Sequence, residues 1–170
     1  MNTPPIPPQK KNILTQLTHT TTSWIGHQKA GQIDHKIGQT FLSPAEADLE
    51  SIEVFISLVT QPAKMAMTIH HFDESSKSWG PALGNASANL DCTDSENWKS
   101  VDIAGTHLKK GEYYGIRIEC LEAYIGLGEA ASCYLKPALQ NGQEWVFTNF
   151  DKKGQPYSYF SLAFKVAARA

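Results

Sequence analysis

The aromatic and arginine side chains of this chain have the chemistry best suited to ligand recognition. The C–H faces of sugar rings stack on aromatic rings, and sugar hydroxyls form hydrogen bonds with arginine, amide and carboxylate groups. Five residues of these types are expected on the outside of the fold: Trp79, in a predicted polar loop over residues 73–81, and Tyr113, Arg117, Tyr157 and Tyr159. They form one binding platform if their strands are neighbours. The alternative is that they are ordinary cross-strand packing pairs.

Carboxylates are concentrated in two predicted loops. Asp73 and Glu74 follow a predicted strand, whereas Asp91 and Asp94 precede Trp98. Calcium takes about six to eight oxygen ligands from side chains and carbonyl groups, so loops that meet at one end of a sandwich could hold a structural calcium ion. No Asp-x-Asp-x-Asp ladder occurs, and solvated turns are the alternative. We expect no other cofactor.

No group of residues has a recognisable catalytic spacing. The adjacent His70 and His71 would point to opposite faces of a strand, so they are not expected to chelate one ion together. His71 would share a face with Met67 and Ile69, in the core or at its edge. No nucleophile with a base and no poised carboxylate pair is evident. We therefore expect a protein that is not an enzyme.

Composition excludes several classes of partner and leaves the compartment open. The 15 basic and 17 acidic residues give a net charge of -2, so nucleic acid is not an expected partner. No apolar run is long enough to span a membrane. The N-terminus lacks the apolar region of a signal peptide, which favours the cytoplasm by default, or the extracellular space if export follows a non-classical route.

The three cysteines, Cys92, Cys120 and Cys133, cannot all pair within one chain. Free thiols in a reducing compartment are the expected state. A bridge between Cys120 and Cys133 is the alternative in an oxidising compartment.

The elements that position these residues are short strands separated by Gly, Pro, Asn and Asp. In residues 158–166 the even positions are large and apolar while the odd ones are mostly small or polar, which is typical of a strand with one buried face. The pattern predicts an all-β, antiparallel β-sandwich of about nine strands. The predicted strands cover residues 38–43, 49–59, 65–72, 83–90, 98–103, 113–121, 124–135, 143–147 and 158–166.

The same alternation predicts which side chains face the core. Phe160, Leu162, Phe164 and Val166 should point inward, and so should Tyr114, Ile116 and Ile118. Tyr157 and Tyr159 would then face outward, together with Tyr113, Arg117 and Glu119.

Residues 1–30 differ in amino-acid composition from residues 31–170. Four prolines within eight positions and a run of threonines predict an extended N-terminal arm, followed by the sandwich domain. Ile13, Leu14 and Leu17 could form one helical turn or a short strand that docks on the sandwich. Trp24 is expected to anchor the arm on the domain or on a neighbouring subunit.

The order of local signatures resembles the jelly-roll β-sandwich accessory modules of bacterial surface, polysaccharide-degrading and phage-tail proteins, which are carbohydrate-binding-module-like or galactose-binding-like. The resemblance covers about residues 37–167. Its signatures are Gln39-Thr40-Phe41, Leu49-x-x-Ile52-x-Val54-x-Ile56, Met67-Thr68-Ile69-His70, Trp98-x-x-Val101-Asp102-Ile103, Leu108-x-x-Gly111-x-x-Tyr114-x-Ile116 and Leu162-Ala163-Phe164-Lys165-Val166.

The resemblance implies a non-catalytic binding module with carbohydrate as the expected ligand. The alternative is a structural, self-assembling or protein-interaction module of a surface or tail-like assembly. In that case a protein partner or a second copy of the chain would bind through the N-terminal arm.

Overall fold

The computed structural model describes residues 4–133 and 135–170, which are built mainly of antiparallel β-strands. One turn of 3₁₀ helix, Cys92–Asp94, lies between the sixth and seventh strands. The strands are β1 (Lys11–Gln16), β2 (Thr21–Gln28), β3 (Ile33–Leu42), β4 (Ala47–Leu58), β5 (Ala63–Asp73), β6 (Ser78–Leu90), β7 (Asn97–Asp102), β8 (His107–Leu108), β9 (Tyr113–Glu119), β10 (Tyr124–Ala131), β11 (Glu144–Thr148), β12 (Gln155–Tyr157), β13 (Phe160–Leu162) and β14 (Phe164–Arg169).

Hydrogen bonds join the strands into one sheet that folds over on itself. Its main path runs β1-β14-β4-β10-β2-β3-β9-β5-β6, with the remaining strands paired to members of this path. Phe41 on β3 and Phe164 on β14 are not on hydrogen-bonded neighbours, yet their ring centroids are 6.1 Å apart. The two halves of the sheet therefore face each other across a core. The predicted all-β, antiparallel sandwich class is confirmed.

The fold turns from one layer to the other at Gly26 in β2. Residues 21–26 of β2 pair with β10, whereas residues 26–28 pair with β3. Gly26 has φ +121°, and a Cβ atom there would lie 1.8 Å from the carbonyl oxygen of Ala123. Only glycine combines this backbone conformation with so close an approach. Strands that change sheets at such bends form the corners of a sandwich.

Predicted inward-facing residues fill the core. Tyr114, Ile116 and Ile118 of β9 are fully buried, as are Phe164 and Val166 of β14. Burying an aliphatic or aromatic side chain of this size contributes roughly 1.5–3 kcal/mol, so this face supplies much of the stability. The inward orientation predicted for both strands is confirmed, except that Phe160 is only half-buried.

Residues 11–28 differ from the predicted extended arm, because they form strands of the sheet. β1 pairs with β14, and β2 pairs with β10 and β3. Ile13 and Leu14 pack against the core, which makes pairing with β14 favourable, so the docked short strand is the observed form. Trp24 is exposed and stacks on Tyr124, with ring centroids 5.4 Å apart. A domain boundary at residue 30 stays a prediction, and residues 1–3 lie outside the described part.

The structure also describes the three cysteines. All are free: Cys120 is buried in the core, while Cys92 and Cys133 are exposed. The alternative of a Cys120–Cys133 bridge is therefore wrong for this structure. Among residues 4–133 and 135–170, no helix has the length and apolarity needed to cross a membrane.

Candidate functional site

A compact group of aromatic rings covers part of the outer face of the β3-β9-β5-β6 layer. We call Phe72, Trp79, Trp145 and Phe147 the aromatic cluster. The ring centroid of Trp79 lies 5.4 Å from that of Phe72, 5.8 Å from that of Trp145 and 5.5 Å from that of Phe147. These edge-to-face contacts are a favourable aromatic geometry. The cluster is separate from the main core and gives this outer face a fixed apolar floor.

Two glycines allow Trp79 to lie against the sheet. A Cβ atom at Gly115 of β9 would be 2.4 Å from Trp79 Cζ3, and one at Gly38 of β3 would be 2.9 Å from Trp79 Cη2. Both contacts are too short for any side chain larger than hydrogen, so the indole occupies the space that side chains would fill. Trp79 was expected in a polar loop, but it belongs to β6 and is half-buried. Its pairing with Phe72 extends the β5–β6 hairpin further than the polar sequence around residues 73–78 suggests.

Arg117 of β9 packs over two members of the aromatic cluster. Its Cζ atom lies 4.7 Å from the ring centroid of Trp79 and 4.4 Å from that of Phe147. Such cation–π contacts stabilise a guanidinium while fixing its position. Burial lowers the pKa of Arg117 from its ordinary value, but an arginine remains charged at neutral pH. Its Nε is buried and has no hydrogen-bond partner among the described residues.

Arg117 lies in a groove of about 590 Å³, which we call the Arg117 groove. Its size falls in the range of small-molecule sites, roughly 300–1,000 Å³. The groove runs from β5 across β9 to β3, and the segment after β11 forms its far wall. The polar and charged lining residues are Asp34, Lys36, Thr68, His70, Arg117, Glu119, Thr148, Asn149 and Lys152.

His70 is a fixed and neutral part of the groove. Burial is the main cause that lowers its pKa below the ordinary value, and the charge of Arg117 lowers it further. Its Nδ1 lies 2.8 Å from the Gly80 carbonyl oxygen, which can only accept, so Nδ1–H is the donor. Nε2 then accepts a hydrogen bond from the Thr68 hydroxyl at 2.7 Å. Both ring nitrogens are therefore occupied, and His71 instead stacks on Tyr114 at the exposed edge of the core.

The acidic groups of the Arg117 groove already have partners. Glu119 Oε2 lies 2.6 Å from Lys36 Nζ, and Asp34 Oδ1 lies 2.7 Å from His27 Nδ1. Neither Arg117 nor Lys152 has a carboxylate within salt-bridge distance in the part of the chain that the structure describes. The three cationic side chains of the lining outnumber its two carboxylates, so the groove carries one net positive charge.

The five predicted ligand-binding residues fall into two groups. Trp79, Tyr113 and Arg117 share the outer face of one layer, where Tyr113 packs against the aromatic cluster. Tyr157 ends β12 and Tyr159 follows it, both exposed, and Tyr157 contacts Phe160 at a centroid distance of 6.2 Å. Ligand binding by each of the five stays a prediction.

The four predicted metal ligands lie at opposite ends of one strand. Asp73 and Glu74 are at the β5–β6 turn, whereas Asp91 and Asp94 follow β6, whose 13 residues span roughly 40 Å. They therefore do not meet at one calcium site. Hydrogen bonds from Ser75 and Ser76 lower the pKa of Asp73 to about 2.

The second pair of carboxylates has a local role of its own. Asp91 accepts a hydrogen bond from the Thr93 backbone N–H at 2.8 Å and caps the 3₁₀ turn. Within residues 4–133 and 135–170, no three His, Cys, Asp or Glu side chains are grouped to hold a metal ion.

Sequence reasoning missed a buried pair of carboxyl groups, Glu129 on β10 and Glu144 on β11. They are 8% and 2% exposed. Burial is the main cause that raises the pKa of Glu144 to about 9, and a hydrogen bond and the negative charge of Glu129 add to it. Glu129 accepts a hydrogen bond from the Thr21 hydroxyl at 2.7 Å. Glu144 lies two residues before Val146, which packs on the core, so strand alternation predicts that Glu144 also points inward. This was the signal in the sequence that could have identified it.

Comparison with known proteins adds a likeness of fold. No protein-family model matches the chain, and no curated protein sequence is similar to it. One similar structure contains the cysteine protease and lectin-like domains of Cwp84, a surface layer associated protein of Clostridium difficile, with a TM-score of 0.53 and 15% identity over 88% of this chain and 36% of that one.

A second similar structure is the clostridial cysteine protease Cwp84 after propeptide cleavage. Its TM-score is 0.58, with 14% identity over 95% of this chain and 40% of that chain. The chain therefore spans about two fifths of the length of these structures. Identity this low shows a shared fold alone.

Proposed function

We propose that this chain is a non-catalytic binding module that holds carbohydrate in the Arg117 groove. The observation that carries the proposal is the guanidinium of Arg117, which packs over Trp79 and Phe147 and lines the groove without a carboxylate partner among the described residues. The two rings fix the guanidinium, and no described carboxylate competes with a ligand for it. An arginine held ready in a groove is typical of ligand recognition.

The chemistry of the groove suits a sugar. Apolar surface from Leu121, which is 63% exposed, lies beside charged and hydroxyl-bearing side chains, while Phe147 is buried. Sugars present the same combination, since C–H patches alternate with hydroxyl groups around the ring. The lectin-like fold of the similar structures supports a binding role.

The absence of a reactive group in the groove supports a non-catalytic role. His70 uses both ring nitrogens, and Glu119 is paired with Lys36. The Glu129–Glu144 pair is too deeply buried to reach a ligand. Each of these groups is therefore held in a structural contact.

A glycan-array screen with a matched pair of variants tests the proposal. Arg117→Gln should lose binding to the glycans that the native protein binds, because it removes the fixed cation. Arg169→Gln should retain binding, because Arg169 pairs with Glu50 outside the groove at 2.8 Å. Circular dichroism should show that both variants are folded. If no glycan binds to the folded native protein, or if Arg117→Gln binds as well as Arg169→Gln, the proposal is wrong.

A second candidate function, self-assembly, is favoured by an exposed apolar patch near the corner of the fold. Trp24, Leu58 and Tyr124 are 39%, 41% and 36% exposed, and Trp24 and Leu58 are both opposite Gly126 in β10. Large aromatic residues are enriched in interfaces. Light scattering would test this: a native oligomer that Trp24→Gln converts to a monomer would support assembly, and a monomeric native protein would exclude it.

A further inference from the structure

We infer that the ligand of the Arg117 groove carries a carboxylate, so that the module selects acidic saccharides over their neutral counterparts. This inference rests on the proposed carbohydrate-binding function and adds the class of sugar. It follows from the charge balance of the groove, from the geometry of Arg117 and from the position of Lys152.

The charge balance of the groove favours an anion. Removing a cation from water is costly unless an anion or hydrogen-bond acceptors replace the water. Arg169, outside the groove, meets this need by pairing with Glu50. Arg117 is half-buried, its Nε has no partner, and the nearby Glu119 is engaged by Lys36. A carboxylate on the ligand would supply the missing counter-charge.

The geometry of Arg117 suits a carboxylate in particular. Arg117 Cζ lies 4.7 Å from the ring centroid of Trp79 and 4.4 Å from that of Phe147. This packing restricts the orientation of the guanidinium group before any ligand binds. The N–H groups of a guanidinium lie in its plane and match the two oxygens of a carboxylate in a bidentate arrangement. Because the side chain is already held, little conformational entropy is lost on binding.

Lys152 supplies a second cation in the lining of the groove. It lines the same groove as Arg117, and within the described chain no carboxylate lies at salt-bridge distance from it. A lysine binds as a mobile point charge, so it adds attraction without fixing orientation. An acidic sugar unit in the groove would meet Arg117 as its specific partner and Lys152 as a general one.

The test compares each acidic saccharide with its own methyl ester. Oligosaccharides containing glucuronate, galacturonate or sialate are titrated calorimetrically in both forms against the native protein. Esterification removes the charge while leaving the sugar and its hydroxyls in place. We expect at least one acid to bind about 10-fold to 100-fold more tightly than its ester, in the range of a charge-assisted hydrogen-bonded pair. This preference should weaken as salt concentration rises.

Variants assign the preference to the groove. Arg117→Gln should bind acid and ester alike, and Arg117→Lys should keep only part of the preference because its charge is not planar. Lys152→Gln changes an exposed side chain, so it should fold normally and reduce acid binding by a few fold. Arg169→Gln should behave like the native protein.

The outcomes separate this inference from the proposed function. Equal binding of acids and esters, or binding of neutral glycans alone, would overturn the carboxylate inference while leaving carbohydrate binding intact. Binding of sulfated glycans, with no binding of any carboxylate-bearing glycan, would also overturn the carboxylate inference alone. Failure of every glycan, acidic or neutral, to bind the folded protein would overturn both.

Discussion

Replacing Glu144 by glutamine should change how the stability of this protein depends on pH. Glu144 is almost fully buried, and burial together with Glu129 raises the pKa of its carboxyl group to about 9 in the folded protein. In the unfolded chain a glutamate has an ordinary pKa of about 4.3. Between these two values the folded protein therefore binds one more proton than the unfolded chain.

The sign of the effect follows from this difference in bound protons. Below the unfolded pKa both states are protonated and the carboxyl group causes no pH dependence. As the pH rises from about 4.3 towards 9, the unfolded chain gains the more favourable charged form, so the free energy of unfolding falls. The slope is about 1.4 kcal/mol for each pH unit, or about 2–3 kcal/mol between about pH 6 and pH 8. Glutamine has no proton to lose, so Glu144→Gln should lack this component.

Urea denaturation of the native protein and Glu144→Gln at about pH 6, 7 and 8 measures the difference. Other titrating groups cancel when the two proteins are compared at the same pH. The variant should gain about 2–3 kcal/mol relative to the native protein over this range. Glu122→Gln, at an exposed position, is the matched control and should follow the native protein. A pH-independent difference between Glu144→Gln and the native protein would refute the reasoning, because Glu144 would then be ionised in the fold.

Two further predictions concern the corner and the core. Gly26→Ala should be more destabilising than Gly105→Ala. Both glycines have a positive φ, but only at Gly26 would the added Cβ atom meet a backbone oxygen, at 1.8 Å. Urea denaturation midpoints of both variants check this, and equal losses of stability would contradict it. Phe164→Ala should cost about 3–5 kcal/mol of unfolding free energy because the ring is fully buried. Phe150→Ala, 75% exposed, should stay within about 0.5 kcal/mol of the native protein in the same assay. Similar losses for the two phenylalanines would contradict the core described above.

The sequence predicted the fold class well because its signal is local. In β9 and in the first half of β14 every second residue is large, apolar and buried, whereas Ala167 and Ala168 near the end of β14 are both buried. A pleated strand enforces this relation whatever its neighbours are. Prediction was poorer for β1 and β2, because the prolines at positions 4–8 and the threonines around residue 20 suggested an arm. Pairing of β1 with β14 joins segments about 150 residues apart, which local composition does not reveal.

The candidate site was predicted only in part. Arg117 and Tyr113 were correctly placed on the outer face of their strand, because alternation alone determines that face. Trp79 was placed in a loop, since the polar residues before it hide the extension of the β5–β6 hairpin. Glu144 was overlooked because an isolated glutamate in a short strand gives no sign that a second carboxyl group will be buried beside it.

The sequence by itself determined the strand character of the chain, the faces of its clearest strands and the placement of Arg117 outside the core. Tertiary structure alone decided what surrounds Arg117. Trp79 and Phe147 reach it from separate strands, and Gly38 and Gly115 allow that approach because neither has a side chain in the way. Periodicity determines the direction of a side chain, but strand pairing between distant segments determines its neighbours. Those neighbours turn an outward arginine into a candidate binding site.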